Sequence, residues 1–289
     1  MKVARKPIPL LDKKSSMKKI AVLICIICLP LGLWARNYYQ WVERADSCIK
    51  AKDWAGAEEA LLSALRAEPA NGQNSLLMSN LGTVQRYAGK YDEALRSYSN
   101  GLLMTPNSVT LLRNRAALFS EIDSIDQAYQ DYSQILMIDD TDEDALYHRG
   151  LIELERGDTI SSRADFERLL KINPASANGR IGFASLLKVM GYYPEAIEVY
   201  SQVIKFNPEK EILYVGRAEA YLFAGQYAKA DKDIEKAMEL APDDPVVYVL
   251  RALGKLARYE RESAKEDLER AVELGYDRKS AEQLLREDD

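Results

Sequence analysis

Residues 177–210 read ANGRIGFASLLKVMGYYPEAIEVYSQVIKFNPEK, and residues 211–244 read EILYVGRAEAYLFAGQYAKADKDIEKAMELAPDD. Laid over one another without a gap, the two stretches of 34 residues agree at the places where small, bulky and helix-breaking residues stand. Working outward, the same register begins at Tyr38, Ser75, Val109, Glu143, Ala177, Glu211 and Pro245, with a spacing of 37 and then 34 five times. The three extra residues fall within Ala70–Asn74, a polar link where insertion is tolerated.

Position 8 of every unit is small: Ala45, Gly82, Ala116, Gly150, Ala184, Ala218 and Ala252. Position 20 is small as well: Ala57, Ala94, Ala128, Ser162, Ala196, Ala230 and Ala264. Position 24 is large in all seven (Leu61, Tyr98, Tyr132, Phe166, Tyr200, Ile234, Leu268). Small residues let two antiparallel helices approach closely, and the bulky residue fills the space beside the contact. Gly89, Gly157, Gly191 and Gly225 stand at position 15, where a first helix would end in a left-handed cap. Pro69, Pro106, Pro174, Pro208 and Pro242 cannot lie inside a helix, so each marks a link to the next unit. Helix formers dominate and no stretch alternates apolar and polar residues, so the expected class is all-α.

This repeat resembles the tetratricopeptide repeat family, from Tyr38 to about Asp277. The resemblance implies a right-handed superhelical solenoid of about seven helix pairs with a concave inner surface. Residues 36–276 form it, and residues 277–289 supply a polar-faced capping helix and tail.

The N-terminus differs in kind. Six bases (Lys2, Arg5, Lys13, Lys14, Lys18, Lys19) against one acid, Asp12, precede the apolar run IAVLICIICLPLGLW, residues 20–34, and then Ala35. Basic, apolar, then small is the layout of a secretory signal, here residues 1–35 with cleavage near Ala35. Met17 opens a more typical version of the same signal. The run falls short of the ~20 residues that span a bilayer, and Pro30 interrupts it. An uncleaved anchor giving membrane association is the alternative. The expected location is therefore the periplasm or cell envelope.

Without residues 1–35 the chain keeps 33 Lys and Arg against 44 Asp and Glu, a net charge of −11. Such a surface repels nucleic-acid phosphates, so no nucleic acid is expected among its partners. Cys48 is the one cysteine outside the signal and His148 the one histidine. A thiolate metal cluster is thereby excluded, and any His-based relay would have to use that single imidazole. His148 is expected to be a solvent-facing helix residue. With no phosphate loop and no nucleophile elbow, neither enzyme activity nor a cofactor or metal is expected. Asp139, Asp140, Asp142 and Asp144 lie in a link, where such residues cap helix starts.

Position 7 is Arg in five units, and in four of them position 23 is Asp: Arg115 with Asp131, Arg149 with Asp165, Arg217 with Asp233, and Arg251 with Asp267. Where position 7 is Leu81 or Phe183, position 23 is Ser97 or Val199; Arg44 opposite Ala60 is the exception. An anion-binding ladder could use the same arginines. The co-occurrence favours structural ion pairs, since an isolated charge there would be costly to desolvate.

In the family, positions 2, 5, 9 and 12 of the first helix line the inner wall. Carried onto this chain they give a polar stretch with Ser79, Thr83, Arg86 and Arg113, Asn80 and Asn114 standing next to it at position 6, then a mostly apolar one with Tyr147, Leu151, Val215, Glu219, Val249 and Leu253. The apolar residues are either packed beneath neighbouring units or exposed as an interaction surface. Asn114-Arg115 resembles one element of the clamp that grips chaperone carboxylates. Ser79, Thr83, Tyr147 and Leu151 do not match its other elements, so a clamp is not expected. The expectation is a non-enzymatic scaffold that binds a protein or peptide on the concave face. A chaperone-like assembly factor shielding apolar surface of envelope clients is the alternative.

Overall fold

A computed structural model describes residues 37–286. The expected signal or anchor, residues 1–35, lies outside them. Among the described residues no helix is long and apolar enough to cross a membrane.

The described chain is all-α and of the helical-repeat solenoid class. First helices are α1 (37–50), α3 (Asn74–Tyr87), α5 (Val109–Glu121), α7 (Glu143–Glu155), α9 (Ala177–Val189), α11 (Glu211–Phe223) and α13 (Pro245–Leu256). Their partners are α2 (Trp54–Ala67), α4 (Tyr91–Met104), α6 (Ile125–Ile138), α8 (Thr159–Ile172), α10 (Tyr193–Phe206), α12 (Tyr227–Leu240) and α14 (Arg261–Glu273), and α15 (Arg278–Arg286) closes the chain.

Helix starts are fixed by short polar side chains that accept from otherwise unpartnered N–H groups. Asp53, Asp142, Asp158 and Ser176 do so from Gly56, Ala145, Ser161 and Gly179. Two more link acids are also engaged: Asp139 accepts from Thr141, and Asp140 pairs with Arg168. Between the two helices of each pair stands one left-handed residue. It is Gly89, Gly157, Gly191 or Gly225 in four units, but Lys52 (φ 57°), Asp123 (φ 59°) and Tyr259 (φ 63°) in the others. The turn geometry, rather than the glycine, is the constant.

Packing divides the chain into two compact units meeting at Asp131 and Tyr132. In the first, Ala45, Ala57, Leu61, Leu77 and Leu81 form one core, and Ala94, Tyr98, Leu111 and Leu118 another. Tyr98 is fully buried over Gly82, where an added Cβ would lie 2.5 Å from its ring.

In the second unit the Phe166 ring is clamped between Gly150 of its own pair and Gly182 of the next, whose Cβ positions would lie 2.8 and 2.3 Å away. Gly216 meets Tyr200 in the same way, at 2.5 Å. Position 6 of one repeat therefore lies on the position-24 ring of the repeat before. Burying one such ring contributes roughly 2–3 kcal/mol. At the C-terminal end Ala281 of α15 packs with Leu268 and Ala271 of α14.

Candidate functional site: the first-helix face

The four Arg–Asp pairs are made in the structure, each bidentate. Arg115 donates from Nε and Nη2 to Asp131 at 2.8 and 2.7 Å, and Arg149 to Asp165 at 2.7 and 2.7 Å. Arg217 meets Asp233 at 2.7 and 2.7 Å, and Arg251 meets Asp267 at 2.9 and 2.5 Å. All four carboxylates are buried. The spare Nη1 of Arg115 and Arg217 donates to Ser99 and Ser201. These guanidinium groups are spent between the helices of a pair, and no anion ladder remains to them. The hydrogen bonds from Arg217 to Asp233 and from Arg251 to Asp267, larger than the opposing effect of burial, push both guanidinium pKa values up.

In the first unit the expected polar wall is partly consumed internally. Ser79 is buried and accepts from Asn114 Nδ2 at 3.1 Å. Thr83 Oγ1 contacts Tyr98 Oη at 3.1 Å, and Arg86 Nε holds Glu121 at 2.5 Å. Ser79, expected to face a partner, is instead buried and its hydroxyl is used by Asn114, whereas Thr83 is half-buried with its hydroxyl on Tyr98. Arg113 is half-buried, and Asn80 is exposed. Leu76 at position 2 is 61 % exposed.

In the second unit Val215 and Val249 are each 7 % exposed, inside the cores beside Ala218 and Ala252, and cannot meet a partner. Val215 packs in one core with Ala230 and Ile234 of its own second helix, and Val249 with Ala264 and Leu268 of its own. Leu151, Leu253 and Tyr147 are half-buried, and burial raises the Tyr147 pKa. Glu219 pairs with Lys188 of the preceding repeat, a cross-repeat contact that spacing within one repeat does not reveal. Position 2 stays open, with Ile212 at 50 % and Val246 at 42 % exposure.

His148 is exposed and stacks on Tyr132, with centroids 5.2 Å apart and planes 13° apart; it stands at position 6, as Gly182 and Gly216 do. Tyr200 Oη meets Ser185 Oγ at 2.9 Å, and burial pushes its pKa up to about 12. Cys48 is half-buried and without a disulfide. Among the described residues no cluster of His, Cys, Asp and Glu could hold a metal ion.

Tandem antiparallel helix pairs locked by small residues, with a patterned first-helix face, define a helical-repeat protein of the kind used for protein–protein interaction. Family models described as "Tetratricopeptide repeat" match residues 77–110 and 213–244. The chain is 36 % identical to a tetratricopeptide repeat protein of Parabacteroides merdae of known crystal structure, covering 88 % of this chain and 99 % of that one with a TM-score of 0.78. The chain belongs to the tetratricopeptide repeat family. A chain of the APC/C hetero-tetramer Cut9–Hcn1 shares the fold at 13 % identity, with a TM-score of 0.65 over 86 % of this chain and 55 % of that one. Among curated proteins, the human DnaJ homolog subfamily C member 7 is 23 % identical over 155 residues, 53 % of this chain. Mouse RNA polymerase II-associated protein 3 is 26 % identical over 104 residues, 36 % of this chain. The chain spans only 31 % and 16 % of the lengths of those two proteins.

Proposed function

We propose that this protein is a non-enzymatic scaffold that holds an extended segment of a partner protein on the concave face lined by its first helices. The observation that carries the proposal is position 2 in the second unit, where Ile212 and Val246 are left exposed although the residues around them are packed. Exposed apolar side chains recurring at one repeat position suit a partner that alternates apolar anchors along an extended backbone. Leu253, on the same helix as Val246, is half-buried. The basic-then-apolar order of residues 2–34 supports a place in the cell envelope.

Affinity capture with the full chain tests the reading. It should retain a partner at fixed stoichiometry, and Ile212→Glu with Val246→Glu should abolish capture while leaving the melting temperature unchanged. Retention by the double variant would remove the first-helix face from the account. Suppression of aggregation of unrelated unfolded proteins, without fixed stoichiometry, would instead support a chaperone-like assembly factor. Turnover of a substrate would sink both. Cell fractionation with N-terminal sequencing tests the envelope assignment, which a cytoplasmic chain beginning at Met1 or Met17 would contradict.

A further inference from the structure

The chain contains three Asn-Gly steps: Asn71-Gly72, Asn100-Gly101 and Asn178-Gly179. In such a step the glycine nitrogen can attack the asparagine side-chain carbonyl, because no Cβ on the second residue obstructs closure of a five-membered ring. The three are not equivalent in the fold. Gly101 lies inside α4, its N–H within the helical ladder and its Cβ position 2.9 Å from both methyl groups of Leu111. Gly179 donates its N–H to the capping Ser176 at 3.2 Å and is buried. Ring closure at either would have to break a helix.

Gly72 differs on each point. It sits exposed in the link between α2 and α3, nothing lies within 4 Å of its Cβ position, and its N–H has no hydrogen-bond partner among the described residues. The Asn71 side chain is meanwhile held at both ends. Its Oδ1 accepts from the Gln73 N–H at 2.9 Å, and its Nδ2 donates to Glu68 Oε2 at 2.7 Å. The Gln73 N–H is aimed at the oxygen on which negative charge develops when the carbonyl is attacked.

We propose that Asn71 is a self-modification site, at which the native fold directs deamidation to one of three sequence-equivalent steps. The Gly72 nitrogen forms a bond to Asn71 Cγ and gives up its proton to water. The Cγ–Nδ2 bond breaks, and the amide leaves as ammonia with a proton from solvent. Water then opens the succinimide at either carbonyl, leaving aspartate or isoaspartate. No oxidant or reductant takes part. The product places a carboxylate where an N–H had donated to Glu68. The like charges loosen the link, whose Glu68 and Pro69 carbonyls Asn74 holds at 2.8 and 3.1 Å.

The test is incubation of the full chain at mildly alkaline pH, in native buffer and in denaturant, with peptide mass spectrometry that separates aspartate from isoaspartate. In denaturant all three steps should deamidate at comparable rates. In the native chain the gain should appear at Asn71 while Asn100 and Asn178 stay amides. Gly72→Ala should slow it several-fold, and Asn71→Asp should lower the melting temperature. An intact Asn71 in the native chain, or equal or faster conversion at Asn100 or Asn178, overturns the proposal.

Discussion

Gly182→Ala and Gly254→Ala place the same methyl group inside a first helix, and packing gives them opposite signs. Alanine is favoured over glycine in a helix interior by about 1 kcal/mol, so both would stabilise if nothing stood in the way. At Gly182 the new Cβ would lie 2.3 Å from Phe166 Cε1 and 2.7 Å from Cδ1. Phe166 is fully buried, and on its other side the Gly150 Cβ position is 2.8 Å from the same edge of the ring. The ring cannot retreat, and overpacking of this kind costs about 3 kcal/mol, the upper part of the usual range. The net loss is about 2 kcal/mol. At Gly254 the nearest atoms are Leu222 Cδ2 at 3.2 Å and Asp231 Oδ1 at 4.0 Å. That methyl group ends a flexible, half-buried side chain and can yield, leaving a net gain of about 0.5–1 kcal/mol. With about 2–4 °C per kcal/mol for a domain of this size, melting followed by helical ellipticity should fall by about 4–8 °C for Gly182→Ala and rise by about 1–4 °C for Gly254→Ala. Shifts of the same sign would refute the clamped-ring argument.

Asp165→Ala removes the two carboxylate oxygens that Arg149 holds at 2.7 Å, and the Glu153 carboxylate stands 3.8 Å from Arg149 Nε. With the Arg149 side chain 21 % exposed, the loss should be about 2–4 kcal/mol in denaturant unfolding, and an unchanged midpoint would contradict the pairing. Tyr259 is 91 % exposed at φ 63°, so Tyr259→Gly should stabilise by about 1 kcal/mol; a lower melting temperature would reveal a contact that rewards the strain. Burial pushes the Glu58 pKa up, but hydrogen bonds from Lys90 and Gln85 outweigh it and hold the carboxyl below its ordinary value of 4.5. A depressed folded-state pKa gives stability that is present above 4.5 and is lost as pH falls through the folded value. Acid unfolding of Glu58→Gln should therefore lack that component, and an acid transition identical to the parent would contradict the assignment.

The repeat was legible because its signals are local. A small residue at positions 8 and 20 and a breaker between units recur whatever lies alongside. The Arg–Asp pairs were legible for a related reason: both partners belong to one unit, so their co-occurrence carries the geometry. The wall was less legible. Ser79, Thr83, Val215 and Val249 occupy wall positions by spacing, yet their side chains are used against Asn114, Tyr98 and the cores of their own helix pairs. Whether such a position faces a partner or the neighbouring repeat depends on how repeats stack, which no spacing within a repeat specifies. The left-handed turns at Lys52, Asp123 and Tyr259 carry no glycine to mark them, and of the three only Asp readily adopts that conformation. Lys188 with Glu219 and the His148–Tyr132 stack are likewise products of stacking.

The first-helix face is tested most directly by amide hydrogen exchange on the chain alone and with its captured partner. Added protection is expected in the first helices, above all residues 211–223 and 245–256, with the second helices unchanged. Protection confined to the second helices, α8, α10, α12 and α14, would place the partner elsewhere and contradict the account.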